Sequence, residues 1–125
     1  MISALILDWA GTLADDVEST LAATNRTLVE FGGRPVDLET YRREFTIPVD
    51  GFYAPRLPGV AMATIDDRFF AHYAELAPEV RLFDGVAGLL HNARDRGRRL
   101  FVLSTLPEAN IRGVLAPLGL GLALE

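Results

Sequence analysis

The sequence contains no cysteine, which excludes disulfide staples, thiolate ligands and thiol nucleophiles. It contains no lysine either: all twelve basic residues are arginines. No side-chain amine is therefore present to form a Schiff base or to hold a phosphoryl group. Long apolar runs are also lacking, so no segment is expected to span a bilayer and no membrane partner is expected. The N-terminal apolar run has no basic stretch before it and stops at Asp8, which is unlike a secretory signal. A cytoplasmic protein is the expectation. Positive charge is in deficit, with a net charge of −5, which argues against a nucleic-acid partner. The one basic cluster, Arg94, Arg96, Arg98 and Arg99, falls at a helix end and turn, where it reads as a solvated face.

What is present is enough for a packed domain. The chain has 125 residues, half of them apolar. Ile2 to Leu7 is a nearly continuous apolar run that reads as a strand buried on both faces. It ends at Asp8, and a turn through Gly11 and Thr12 follows before an amphipathic helix. Open α/β sheets place ligands at the carboxyl ends of their strands, beside such glycine loops. A carboxylate there can act as a nucleophile or hold a hard cation.

Asp15 and Asp16 suit a helix N-terminus, and Val17, Leu21, Thr24, Leu28 and Phe31 recur at helical spacing up to Gly32-Gly33. Asp37 opens a second short helix bearing Leu38, Tyr41 and Phe45 on one face. Prolines and glycines from Pro48 to Gly59 predict an irregular stretch. A third helix is expected from Thr64, with Phe69, Phe70, Tyr73 and Leu76 on its apolar side. His72 lies among them and reads as a packed or surface imidazole, since no partner stands at metal-ligand spacing. Ala77 to Arg81 reads as a linker. A helix from Phe83 to about Arg96 ends at Gly97, and Arg99 to Leu103 forms a second buried strand ending at Ser104-Thr105. Pro107 opens another helix. The tail, 118–125, is expected to begin a third strand.

A strand, a long connection and a second strand imply a parallel sheet. Residues 16–81 are too long for a simple crossover and carry their own apolar faces, so they read as an inserted α-helical cap on a core formed by 1–15 and 82–125. The expected fold class is α/β, with an incomplete Rossmann-like parallel sheet. Ser104 should then share a sheet edge with Asp8. Its hydroxyl, with the N–H groups of Thr105 and Leu106 ahead of a helix, can hold phosphate oxygens.

Asp8-Trp9-Ala10-Gly11-Thr12-Leu13 resembles the first motif of the haloacid dehalogenase (HAD) superfamily, usually Asp-x-Asp-Gly-Thr-Leu. With Trp9 and Ala10 it looks most like the phosphonoacetaldehyde hydrolase (phosphonatase) branch. The Ser104-Thr105 strand end resembles the second motif, and Leu82 to Val86 resembles the lead-in to the helix before it. The resemblance implies a hydrolase acting on a small phosphorylated or phosphonylated metabolite. Asp8 would attack phosphorus and form an aspartyl-phosphate. Gly11, Thr12, Ser104 and Thr105 would bind the phosphoryl group. Mg2+ would be held by Asp8, the Ala10 backbone carbonyl and a later acidic motif. The cap would exclude water and choose the substrate, with Arg42, Arg43, Tyr53 and Arg56 as its candidate specificity residues.

The chain departs from the family at three points. Ala10 replaces the usual acid–base aspartate. The phosphonatase branch relies on a cap lysine that this chain lacks. After Ser104 the only acids are Glu108 and Glu125, so the third and fourth motifs are absent from these residues. Impaired activity of the chain by itself is the expectation, as is an open strand edge that invites a second copy or a complementing chain. Two other readings stay open: a non-catalytic binding or regulatory module, and one half of a split enzyme.

Overall fold

The computed structural model describes residues 1–120; of the tail expected to begin a third strand, Leu118 instead closes a 3-10 turn capped by Gly119, and residues 121–125 lie outside the described residues. The element order is β1 (Ala4–Asp8), β2 (Ala14–Asp15), α1 (Val17–Glu30), α2 (Leu38–Glu44), α3 (Asp50–Tyr53), α4 (Met62–Leu76), β3 (Arg81–Leu82), α5 (Val86–Asp95), β4 (Arg99–Leu103) and α6 (Glu108–Leu115). Short 3-10 turns occupy Ala77–Glu79 and Ala116–Leu118. The chain divides into two compact units, residues 1–17 with 77–125 and residues 18–76.

In the first unit β1 and β4 pair in parallel, Ile6 level with Phe101 and Asp8 level with Leu103. The fold is α/β, as the alternation of strands and helices implies. The strands are not buried on both faces, contrary to the reading of their apolar runs. Exposure alternates along β1, and Ile6 is 73% exposed and Leu103 72%. The opposite row is better covered, with Leu100 buried and Leu5 and Leu7 half-buried. The helix α5, in the connection leading into β4, packs against that strand. An apolar run cannot tell a strand covered on both faces from one awaiting a second layer. The segment after Asp8 also holds a strand that periodicity missed: β2 pairs antiparallel with β3, and Phe83 N–H donates to the Leu13 carbonyl at 3.0 Å.

The second unit is all helical. α1 ends where Gly32 turns to φ +83°, with Gly32 and Gly33 donating back to Val29 and Leu28. Asn25 then pins the following loop by bonding both the N–H and the carbonyl of Val36 at 2.8 Å. Asp37 caps α2 by accepting the Thr40 N–H at 2.7 Å, a bond that holds its carboxyl below the usual aspartate range. The core is Leu28, Tyr41, Phe52, Tyr53, Leu57 and Ile65. The proline- and glycine-broken stretch is thus not merely irregular, because α3 inserts Phe52 and Tyr53 into this core.

Gly33 is held by close approach. A Cβ there would meet Leu57 Cδ2 at 2.9 Å and the Leu28 carbonyl oxygen at 3.0 Å. Backbone cannot give way as a side chain can, so Gly33→Ala should lower stability by about 1–3 kcal/mol. Chemical denaturation of the variant would show it, and an unchanged midpoint would refute the crowding.

Glu30 ties α1 to α4. Its carboxylate is bonded to His72 Nε2 and to Arg68 Nε, each at 2.7 Å. The His72 bond first, and then Arg68, hold Glu30 below the ordinary glutamate range. Such a carboxyl adds stability above its unfolded pKa and loses it as pH falls through the lower folded value. Thermal stability should therefore drop in that acid window, and Glu30→Gln should flatten the drop. An identical acid limb in the variant would count against the clamp.

Candidate active site

The C-terminal ends of β1 and β4 lie side by side, and Ser104 is the first residue past the level of Asp8. Asp8 is exposed, as a ligand-binding carboxylate must be. Its Oδ2 accepts the Thr12 hydroxyl at 2.9 Å. Thr12 was expected to bind the phosphoryl group; here its hydroxyl donates to the carboxylate.

The loop after Asp8 is built around one backbone oxygen. The Trp9 carbonyl accepts the N–H groups of Thr12, Leu13 and Ala14 at 2.9–3.1 Å, and Gly11 N–H donates to the Ala14 carbonyl at 3.0 Å. Gly11 has φ +71°, a conformation that side chains other than glycine rarely adopt. These bonds occupy every loop N–H from Gly11 to Ala14. Ala10 keeps both its N–H and its carbonyl out of this network. The Trp9 indole is fully buried, and its Nε1 has no hydrogen-bond partner among the described residues. A pattern of side chains carries no signal for a backbone carbonyl, so nothing in the motif marks the Trp9 carbonyl as the hub of the turn.

At the other strand end, Ser104 Oγ accepts the Leu106 N–H at 3.1 Å. That N–H was expected to face phosphate. Its bond to Ser104 leaves the hydroxyl hydrogen of Ser104 and the exposed Thr105 as donors, because a serine hydroxyl accepts and donates at once.

The oxygen donors here are the Asp8 carboxylate and the Ala10 carbonyl. Both are hard ligands of the kind Mg2+ takes, a cation that draws much of its shell from water and phosphate. Among the described residues no group of three or more His, Cys, Asp or Glu is placed to hold a metal. The pair therefore fits one side of a Mg2+ shell, and any further acidic ligand must come from outside these residues.

The four candidates in the helical unit are differently placed. Tyr53 is only 3% exposed, and burial pushes its hydroxyl above the usual tyrosine range. Arg56 lies over the Phe52 ring at 4.0 Å, donates to the Phe52 carbonyl and pairs with Glu44. Arg43 pairs with Glu44 at 2.8 Å and stands 3.9 Å from Glu39. Hydrogen bonds from Arg43 first, and then from Arg56, hold Glu44 below the usual range. Arg42 is exposed and forms no ion pair among the described residues.

Comparison with known proteins shows the family. Two curated relatives, both phosphoglycolate phosphatases, are 31% identical (from Synechococcus elongatus) and 30% identical (from Rhodospirillum rubrum). The matches cover 95% and 96% of this chain but 57% and 55% of the relatives, so the chain spans little more than half their length. The crystal structure of CbbY from Rhodobacter sphaeroides in complex with phosphate superposes with a TM-score of 0.80 at 26% identity, covering 92% of this chain and 56% of that one. No helix among the described residues is long and apolar enough to cross a membrane. The family model described as haloacid dehalogenase-like hydrolase matches residues 5–124, almost the whole of the sequence, and the chain belongs to that family.

Proposed function

We propose that the chain carries the phosphoryl-accepting part of a phosphohydrolase for a small phosphorylated metabolite. The observation that carries this reading is Asp8, an exposed carboxylate at a strand end, fixed by Thr12 at 2.9 Å beside the strand end that presents Ser104. An Asp8 oxygen attacks phosphorus in line, and the bond from phosphorus to the leaving oxygen breaks. Water then hydrolyses the aspartyl-phosphate and frees Asp8. Thr12 keeps the carboxylate in its attacking orientation, and Gly11 supplies the turn that allows this. The Ser104 hydroxyl, Thr105 and the Ala10 N–H donate to phosphoryl oxygens. Mg2+ held by Asp8 and the Ala10 carbonyl would offset the charge between carboxylate and phosphate.

In this proposal residues 18–76 act as a cap that excludes water and selects the substrate. Arg42 is the residue with a guanidinium to offer a substrate anion. Arg43, Tyr53 and Arg56 shape the cap through the contacts that already hold them. The names of the relatives favour a phosphate monoester over a phosphonate. The Trp9-Ala10 pair is the one point of likeness to the phosphonatase branch, and without lysine the Schiff-base route of that branch has no amine.

The test is release of inorganic phosphate from a panel of phosphorylated metabolites, phosphoglycolate included, with Mg2+ supplied. Phosphate release that needs Asp8, with a phosphoryl group mapped to Asp8 by mass spectrometry, is the expected result. Release that is unchanged when Asp8 is replaced would overturn the reading.

A further inference from the structure

The loop that orients Asp8 is supported from elsewhere in the chain. Residues 9–14 turn around the Trp9 carbonyl and run into β2, a strand of two residues that is too short to hold itself in place. β3 holds it. Leu82 stands level with Ala14 and Arg81 level with Asp15, and Phe83 N–H donates to the Leu13 carbonyl at 3.0 Å. Ala14 then bonds back into the loop, its N–H donating to the Trp9 carbonyl and its carbonyl accepting the Gly11 N–H, each at 3.0 Å. Thr12 and Leu13 donate to the same Trp9 carbonyl, and the Thr12 hydroxyl donates to Asp8. A continuous path of hydrogen bonds thus runs from β3 to the carboxylate, all of it within the first unit.

β3 is fixed in turn by a side chain of its own. Arg81 Nη1 donates to the Pro78 carbonyl at 3.0 Å and to the Val80 carbonyl at 3.4 Å, so the guanidinium folds back over the turn that leads into the strand. Val80 N–H donates to the Ala77 carbonyl at 3.1 Å and closes that turn from within. Val80 and Ala14 are buried, whereas Arg81 is exposed and fills no core space. Its opposite charge level with Asp15 adds little, because both residues are exposed. The two carbonyls are what Arg81 holds. We infer that Arg81 is a positioning residue for the Asp8 chemistry: it sets the turn 77–80, the turn sets β3, and β3 keeps the loop in the geometry that aims the carboxylate. The inference rests on the reading of Asp8 as the phosphoryl acceptor. The role needs no contact between Arg81 and substrate, so loss of Arg81 acts on the chemical step and leaves substrate binding alone.

The experiment compares the full chain with its Arg81→Met and Arg81→Lys variants. Methionine keeps part of the stem and has no donor, whereas lysine restores a donor to the Pro78 carbonyl. Trp9 is the sole tryptophan, fully buried at the head of the loop, so its fluorescence reports the loop directly. In Arg81→Met the Trp9 emission should move to longer wavelength, and the amides of Thr12, Leu13 and Ala14 should exchange with solvent at least about 10-fold faster by NMR. The melting temperature should move by no more than a few degrees. With Mg2+ and a phosphorylated metabolite that the parent chain hydrolyses, kcat should fall about 10- to 100-fold with KM unchanged. Arg81→Lys should recover most of the emission, the protection and the kcat. Unchanged Trp9 emission and loop exchange in Arg81→Met, or an unchanged kcat, would overturn this inference and leave the proposed function standing. So would a raised KM at constant kcat, which would mean that Arg81 meets the substrate itself, or unfolding of both variants, which would make Arg81 a residue of general stability. Absence of Asp8-dependent phosphate release from the parent chain would overturn the proposed function and the positioning role with it.

Discussion

Asp8→Asn should reduce phosphate release by at least about 10⁴-fold and abolish the covalent phosphoryl adduct, while leaving the fold intact. The amide is close to isosteric, and its carbonyl can still accept the Thr12 hydroxyl that now bonds Oδ2 at 2.9 Å. Because Asp8 is exposed, no packing is lost, and the stability change should stay within about 0.5 kcal/mol. What disappears is the nucleophilic oxygen and the negative charge that a hard cation would require. The pairing of unchanged stability with lost turnover is the diagnostic outcome. A variant that retains turnover would show that the chemistry lies elsewhere. A variant that unfolds would show that Asp8 is a structural cap of its turn rather than a reactive group.

The site was legible in the sequence to the extent that it depends on strand ends. An apolar run stopping at Asp8 and another stopping at Ser104 fix where a parallel pair brings its carboxyl ends, and the observed register does so within one residue. The donors were harder to read. Thr12 and Ser104 were expected to bind phosphate through their hydroxyls, and short polar side chains also readily bond nearby backbone and side-chain groups. Here Thr12 turns to Asp8, and the Ser104 oxygen holds the Leu106 N–H. Burial was harder still. Ile6 and Leu103 belong to runs as apolar as any core strand, but exposure depends on how many helical layers cover a face, which periodicity does not encode. Tyr53 shows the opposite failure. A tyrosine in a stretch broken by glycine and proline looks like a loop residue available to a ligand, yet α3 carries it into the core beside Leu28 and Ile65. The clamp of Glu30 with Arg68 and His72 joins residues some forty positions apart, and no local pattern predicts such a meeting.

The largest stability effect is expected at Trp9, immediately after the nucleophile. Its indole is fully buried and is the bulkiest side chain so enclosed. Trp9→Ala should cost about 3–5 kcal/mol, the transfer energy of the indole plus the cavity left behind. A loss of that size is a large fraction of the stability of an ordinary domain, so circular dichroism should show a markedly lower melting temperature. Trp9→Phe should cost far less, about 1–2 kcal/mol, because the Nε1–H that it removes has no partner to lose among the described residues. The contrast separates packing from hydrogen bonding: equal costs for the two variants would mean that the indole N–H is bonded after all. The site should feel the change as well. The Trp9 carbonyl gathers three of the N–H groups that shape the loop between Asp8 and Thr12. Freeing that residue from its packing lets the carboxylate and its orienting hydroxyl drift, and positional errors of about 1 Å can cost about 10²-fold in rate. In Trp9→Phe, which keeps an aromatic anchor, turnover should fall less than in Trp9→Ala, in the same order as the melting temperatures.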